Sequence, residues 1–209
     1  AIITGVSQHS LAVVPVAEQN KIVLYTMASQ TSELNNAGNF IFKNDDDLKS
    51  LGERAASLAK ELKHDSVGVL FAKYNNATID GANAFKTEFE KQGGKVLVFE
   101  GFGKDESDFK QYLLKISNKK PSVIFVNGLQ KDNGLILKQF GELNLHQTII
   151  GNGAMEDPKI VEIAKDYAEG VIFPTFQGTV NENYIQKVKA KTCKSPLRWS
   201  VEAYDGFKI

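Results

Sequence analysis

Cysteine is nearly absent from this 209-residue chain. Cys193 stands alone, so neither an internal disulfide nor a cysteine-based metal cluster can form. Arginine is almost as scarce: Arg54 and Arg198 are the only two, and every other basic residue is lysine. There is no net charge, because 25 Lys and Arg balance 25 Asp and Glu. That balance argues against a nucleic-acid partner held by phosphate neutralisation. No apolar run approaches the roughly 20 residues needed to span a bilayer. Sequences that announce chemistry are missing as well, with no G-x-S-x-G, no Walker A segment and no H-E-x-x-H. The three histidines, His9, His64 and His146, lie far apart. The chain also starts without Met, inside an expected strand at Ala1–Thr4, and stops within a helical pattern. It reads as a segment of a longer protein, so a missing signal sequence says nothing.

What the chain does hold is alternation. Short apolar runs at 66–71, 95–100, 121–126 and 148–150 are rich in Val, Ile and Phe. Each ends in a polar loop with Gly or Asn and leads into an amphipathic helical stretch. This is the βαβ signature of an α/β fold with parallel sheets flanked by helices. Further strands are expected at 1–4, 22–26, 40–42 and 171–173. Helices are expected from Leu11 to Asn20, from the Asn44–Asp47 run to Leu62, and on the stripes of Phe85, Leu113 and Ile136. Others are expected after Asp157-Pro158 and at 183–191. Pro15 falls inside the first helical stretch and predicts a late start or a kink. Ser7 or Ser10 is the expected cap of that helix, and Asp132 of the one marked by Ile136, Phe140 and Leu143.

In such sheets the loops beyond the carboxyl ends of the strands form the ligand crevice. Two G-x-G segments lie there, Gly101-Phe102-Gly103 and Gly151-Asn152-Gly153. Both place an acid, Glu106 or Glu156, where a dinucleotide site needs a third glycine, so tight turns are the expectation. Asp45–Asp47 reads as helix capping rather than a calcium loop, because Lys49 takes a ligand position. Asp105, Glu106 and Asp108 read as an acidic first helical turn. Asn76-Ala77-Thr78 fits a glycosylation acceptor only as a short pattern. The remaining rim is lined by neutral hydrogen-bonders: Ser7, Gln8, His9, Ser10, Ser29, Gln30, Tyr74, Asn75, Asn76, Asn127 and Asn152. They can orient a small polar solute, and serines at a helix N-terminus suit an anionic group. The alternative is that they simply form loops. A catalytic set would have to come from His9 with Ser7 or Ser10.

The order of these pieces resembles the type I periplasmic binding proteins of the leucine/isoleucine/valine-binding family. The segments AVVPVAEQNKIVLYTMAS, SELNNAGNFIFKNDDD, SDFKQYLLKISNKKPSVIFVNG, LILKQFGELNLHQTIIGNG and DYAEGVIF carry the resemblance. It implies a two-lobed, hinged receptor that captures a small polar solute between its lobes and delivers it to the membrane subunits of an ABC importer. Residues 1–42 and 175–209 would belong to the N-terminal lobe, lacking its first strands, and 43–174 to the C-terminal lobe. The location would be periplasmic or extracellular, with or without a lipid anchor, and a homodimer stays open. Neither catalysis, cofactor nor metal is implied.

The resemblance also implies site residues. Ser7 matches a serine that holds a ligand carboxylate. Ala28 and Ser29 match the small pair that follows, and Gln30 stands where threonine is usual. Tyr74 takes the place of an aromatic contact. The acid that neutralises a ligand ammonium would fall near Gly153 and is absent, which favours amides, urea-like solutes, carboxylates or aromatic acids over ordinary α-amino acids. Gln8, Asn76 and Leu129 complete the expected binding set. A ligand-sensing receptor of the same fold, acting through a protein partner, is the second reading, and an enzyme on a doubly wound sheet the third.

Overall fold

The computed structural model describes residues 1–45, 47–175, 182–196, 200, 201 and 204. The chain divides into two compact units, one of Ala1–Asp46 with Phe176–Ile209 and one of Asp47–Thr175.

In the first unit, β1 (Ile2–Thr4), β2 (Leu24–Thr26) and β3 (Ile41–Lys43) pair in parallel in the order β1-β2-β3. β2 begins two residues later than expected, and β3 is shifted by one. Helix α1 (Ser7–Asn20) begins four residues earlier than Leu11 and runs through Pro15. Pro15 lies on the exposed side, where water can serve the carbonyl that loses its amide donor. The expected serine cap is corrected: Val6 is the N-cap, with no side-chain hydrogen bond. Ser7 is the first helical residue, and the Ser10 hydroxyl donates back to the Val6 carbonyl. A single 3₁₀ turn, Ser32–Asn36, occupies the stretch where no regular helix was expected, with Thr31 as its cap. Along the sheet, Ile3, Tyr25 and Phe42 are in register on one face. Ile3 is 47% exposed and Phe42 51%, whereas Leu24 on the opposite face is fully buried. The helix expected at 183–191 is α7 (Glu182–Thr192).

The second unit holds β4 (Ser66–Ala72), β5 (Lys95–Phe102), β6 (Val123–Asn127) and β7 (Thr148–Gly151), all parallel, in the order β5-β4-β6-β7. Between them run α2 (Leu48–Glu61), α3 (Asn76–Lys91), α4 (Lys110–Ser117), α5 (Gln130–Glu142) and α6 (Pro158–Ala164). Period-two alternation sends Val67, Val69, Phe71, Val123 and Phe125 to one face, against Ala55, Ala59, Phe85 and Phe89 of α2 and α3. Leu70, Ala72, Ile124 and Val126 face the other way, against Leu113, Ile116, Ile136, Leu137 and Ile160. The sheet is therefore covered on both sides, which explains its near-continuous apolar strands. Phe85 stacks on Phe125 with ring centroids 4.1 Å apart. α2 and α3 cross at glycines: a Cβ on Gly52 would stand 2.2 Å from the Gly81 carbonyl oxygen, so only glycine permits this approach.

Three other expectations are corrected. Gly101-Phe102 lies within β5 rather than in a loop, and a Cβ at Gly101 would press on Lys73 and Phe71. The acids Asp105, Glu106 and Asp108 precede α4 instead of forming its first turn. Glu106 accepts from the Ser107 and Asp108 amides, and Asp108 from the Lys110 amide. Residues 171–173 make only a bridge, Ile150 to Ile172, with the following Pro174 unable to extend a ladder. The caps Asp47 and Asp157 do accept from first-turn amides, as their sequences suggest, and Asn75, expected on the rim, caps α3 in the same way.

Candidate functional site

Each unit has its own cluster at the carboxyl edge of its strands. In the first unit, the loops after β1 and β2 are joined by hydroxyls. Ser10 Oγ lies 2.7 Å from Thr4 Oγ1 and 2.6 Å from Ser29 Oγ, and Ser10, Ser29 and Thr26 are fully buried. This chain of hydroxyls, linking residues 19 apart in sequence, fixes the loop 27–31 beside the start of α1. Ser7 is 5% exposed, Ala28 half-buried, and Gln8 exposed on the second residue of α1.

Two polar atoms in this cluster stand out. Gln30 is 8% exposed and its Nε2 has no hydrogen-bond partner; the same holds for Oγ1 of fully buried Thr26. Buried donors are almost always satisfied, and leaving one unmet costs about 1–3 kcal/mol. α1 adds a third feature. Unlike α2, α3 and α6, which are capped by Asp47, Asn75 and Asp157, it begins without a side-chain cap. The dipole at its start favours an oxygen acceptor.

In the second unit the strand order reverses between β4 and β6, the switch point where open α/β sheets bind ligands. Tyr74 follows β4 and Leu129 follows β6, so the topology sets these two expected residues on either side of that point. A cleft of about 500 Å³ opens there, lined among others by Tyr74, Asp105, Leu129, Lys131, Asp132 and Lys159. The Tyr74 hydroxyl donates to Asp132 Oδ2 at 2.6 Å, and the Leu129 amide donates to the same oxygen at 3.2 Å. Burial, reinforced by the bond to Asp132, pushes the Tyr74 phenol far above its ordinary pKa, so it stays protonated.

Behind the cleft, Asn127, Asn133 and Asn152 form a buried knot. Asn152 Nδ2 donates to Asn127 Oδ1 (2.6 Å) and to the Gly128 carbonyl (2.9 Å). Asn152 Oδ1 accepts from Asn133 Nδ2 and the Ala154 amide, both at 3.1 Å. Asn133 Oδ1 in turn accepts from the Gly128 amide, and Asn127 Nδ2 donates to the Thr78 carbonyl. Asn127 and Asn152, expected to line the rim, are 1% and 4% exposed and hold the loops instead. Gly153 is buried, and a Cβ there would stand 3.0 Å from Leu51 Cδ1, so it offers backbone only. Asn76 is half-buried as the first residue of α3. Neither lines the cleft that Tyr74 and Leu129 share. Glu156 accepts from the Thr175 hydroxyl at 2.8 Å. The Thr78 hydroxyl is buried and donates to the Ala72 carbonyl, which leaves the glycosylation pattern without an accessible threonine.

Asp132 is the residue that sequence reasoning placed only as a cap. It is 6% exposed, and among the described residues no lysine or arginine pairs with it. No group of three or more His, Cys, Asp or Glu that could hold a metal occurs among the described residues. Nor, among them, is any helix long and apolar enough to cross a membrane.

A family profile described as periplasmic binding protein matches residues 1–209. Among curated proteins, the leucine-, isoleucine-, valine-, threonine- and alanine-binding protein of Pseudomonas aeruginosa is 28% identical over 116 residues, 55% of this chain and 31% of the relative. Among solved structures, a leucine binding protein of Thermotoga maritima superposes with a TM-score of 0.91 at 25% identity, over 100% of this chain and 61% of that one. A solute binding protein of an ABC transporter from Rhodopseudomonas palustris, in complex with 3,4-dihydroxybenzoic acid, gives 0.87 at 24% identity, over 100% and 60%. The chain thus spans about a third of the length of the curated relative and three-fifths of those structures.

Proposed function

We propose that this chain, which belongs to the periplasmic binding protein family and within it to the type I leucine/isoleucine/valine-binding group, captures a small polar solute for an ABC importer. The solute is an amino acid, an amide or a related carboxylate. It is released, chemically unchanged, to the membrane subunits of the transporter. In this reading, 1–42 with 175–209 and 43–174 act as two lobes outside the cytoplasmic membrane. Ser7, Gln8, Ala28, Ser29 and Gln30 supply binding groups from one lobe, and Tyr74, Asn76, Leu129 and Gly153 from the other.

One observation carries the reading: Gln30 Nε2 and Thr26 Oγ1 are buried without partners at the crevice end of β2. A fold tolerates such groups when a ligand satisfies them, and an acceptor oxygen of a carboxylate or carbonyl would do so. The uncapped start of α1 suits the same oxygen. The ligands named for similar proteins, leucine in one and a dihydroxybenzoate in another, both carry a carboxylate or are its source.

Thermal denaturation of the full-length protein against a solute panel tests this. The panel holds branched amino acids, amides, urea, short carboxylates and aromatic acids. A true ligand at 100 times its dissociation constant should add about 2.7 kcal/mol of stability. A flat response across all classes counts against solute capture and favours a receptor read through a protein partner.

A further inference from the structure

Gln139 is a buried polar side chain whose amide serves one loop. It is 8% exposed in α5, its Oε1 accepts from the Phe109 amide at 2.6 Å, and its Nε2 donates to the Ser107 carbonyl at 2.8 Å. Both partners belong to the loop 103–109 between β5 and α4. Among the described residues, 103–105 make no hydrogen bond of their own. Asp105 holds a left-handed backbone (φ 63°), which strains a residue with a Cβ. Space opens on both sides of this loop. Lys104, Asp105 and Glu106 line the cleft that Tyr74 and Leu129 share, while Glu106 and Asp108 line a second opening of about 460 Å³ beside Tyr112. The fully buried Phe109 ring anchors one end of the loop, and Gln139 fixes the direction in which the backbone leaves it. α5 carries the opposite wall as well, since Gln130, Lys131 and Asp132 of its first turn line the same cleft. Asp132 and Gln139 both lie on its buried face, and their positions are about 10 Å apart along the helix axis.

We propose that Gln139 is a positioning residue for the cleft: it ties the loop 103–109 to α5, fixes the width of the opening and so sets the size of solute that fits. The proposal rests on the solute-binding reading above and adds a determinant of size to it. Gln139 does not itself line the cleft; it acts through the wall of Lys104, Asp105 and Glu106. A wall that is free to move loses contacts with the solute that fitted it, whereas a longer homologue gains room. Selectivity for size, rather than affinity as such, is therefore what Gln139 controls.

Graded probes test this on the full-length protein by calorimetry. They are acetamide, butanamide and hexanamide, acetate, butanoate and hexanoate, valine and leucine, and benzoate with 4-butylbenzoate, each series extended until a longer homologue binds less well. Gln139→Met keeps the volume and removes both hydrogen bonds. It should weaken the preferred length at least tenfold and longer homologues less than twofold. In the unliganded variant, amides of the loop 103–109 should exchange with solvent at least tenfold faster, with those of β4 and β6 unchanged. Gln139→Glu serves if Gln139→Met does not fold: it keeps an acceptor for the Phe109 amide and sets an oxygen against the Ser107 carbonyl. Ile136→Val, a small cavity elsewhere on α5, is the control and should leave the size ranking as it is. Equal loss at every length, unchanged exchange in the loop, or the same shift in the control would mean a general structural role and would overturn the proposal. If no graded probe binds, the proposal falls; solute capture stands without it if the wider panel yields a ligand, and falls too if that panel is flat.

Discussion

Replacing Asn152 by leucine is expected to remove about 4 kcal/mol of stability, a large part of the 5–15 kcal/mol typical of a domain. Leucine keeps the branched skeleton of asparagine with the same number of heavy atoms, although its methyl groups are bulkier and add some overpacking. Most of the loss comes from four groups that Asn152 serves: Asn127 Oδ1, the Gly128 carbonyl, Asn133 Nδ2 and the Ala154 amide. Each orphaned buried group costs about 1–3 kcal/mol, and the costs within one network are not additive. Asn152→Asp should also destabilise, since it sets an oxygen against Asn127 Oδ1 where a donor is required. Chemical denaturation monitored by fluorescence gives the number. A loss below 1 kcal/mol would mean that water fills the knot without penalty. The same variant should weaken solute binding, because the knot sets the loops that carry Leu129 and Gly153.

Gln30→Met is expected to do two opposite things. Methionine fills a similar volume with a flexible apolar chain and has no unmet donor. The unliganded protein should therefore be more stable by about 1 kcal/mol, while affinity for its solute should fall by about tenfold to a hundredfold. This separates a binding residue from a packing residue, which would lose stability on any change. If the unliganded midpoint drops instead, the Gln30 amide is already satisfied in the free protein and the argument from its isolation is lost. Such opposition between stability and function is common where a site keeps polar groups in wait.

The scaffold was legible in the sequence to the extent that it obeys local rules. The apolar runs became the strands β4 to β7, and Asp47 and Asp157-Pro158 mark helix starts where side-chain oxygens meet first-turn amides. Local rules failed where a distant partner decides. Ser10 reads as a cap, but its hydroxyl meets Ser29 and Thr4. Asn127 and Asn152 sit at strand ends like rim residues, yet turn toward each other across two loops. Asp132, expected as the cap, lies in the first turn of α5 behind the N-cap Leu129, whose amide it accepts, and its bond to Tyr74 depends on strands that are neighbours only in space. Polarity at a strand end therefore tells that a hydrogen bond will be made, and not with whom.

In the test tube, the row of Ile3, Tyr25 and Phe42 should make the isolated 209-residue chain adhesive. Parallel sheets are ordinarily roofed on both faces, yet Ile3 and Phe42 leave about half their surface in water. Sedimentation velocity should show an average mass that grows with concentration, and a dye that fluoresces on apolar surfaces should light up on the folded chain. Lysine in place of both Ile3 and Phe42 should suppress the two signals together.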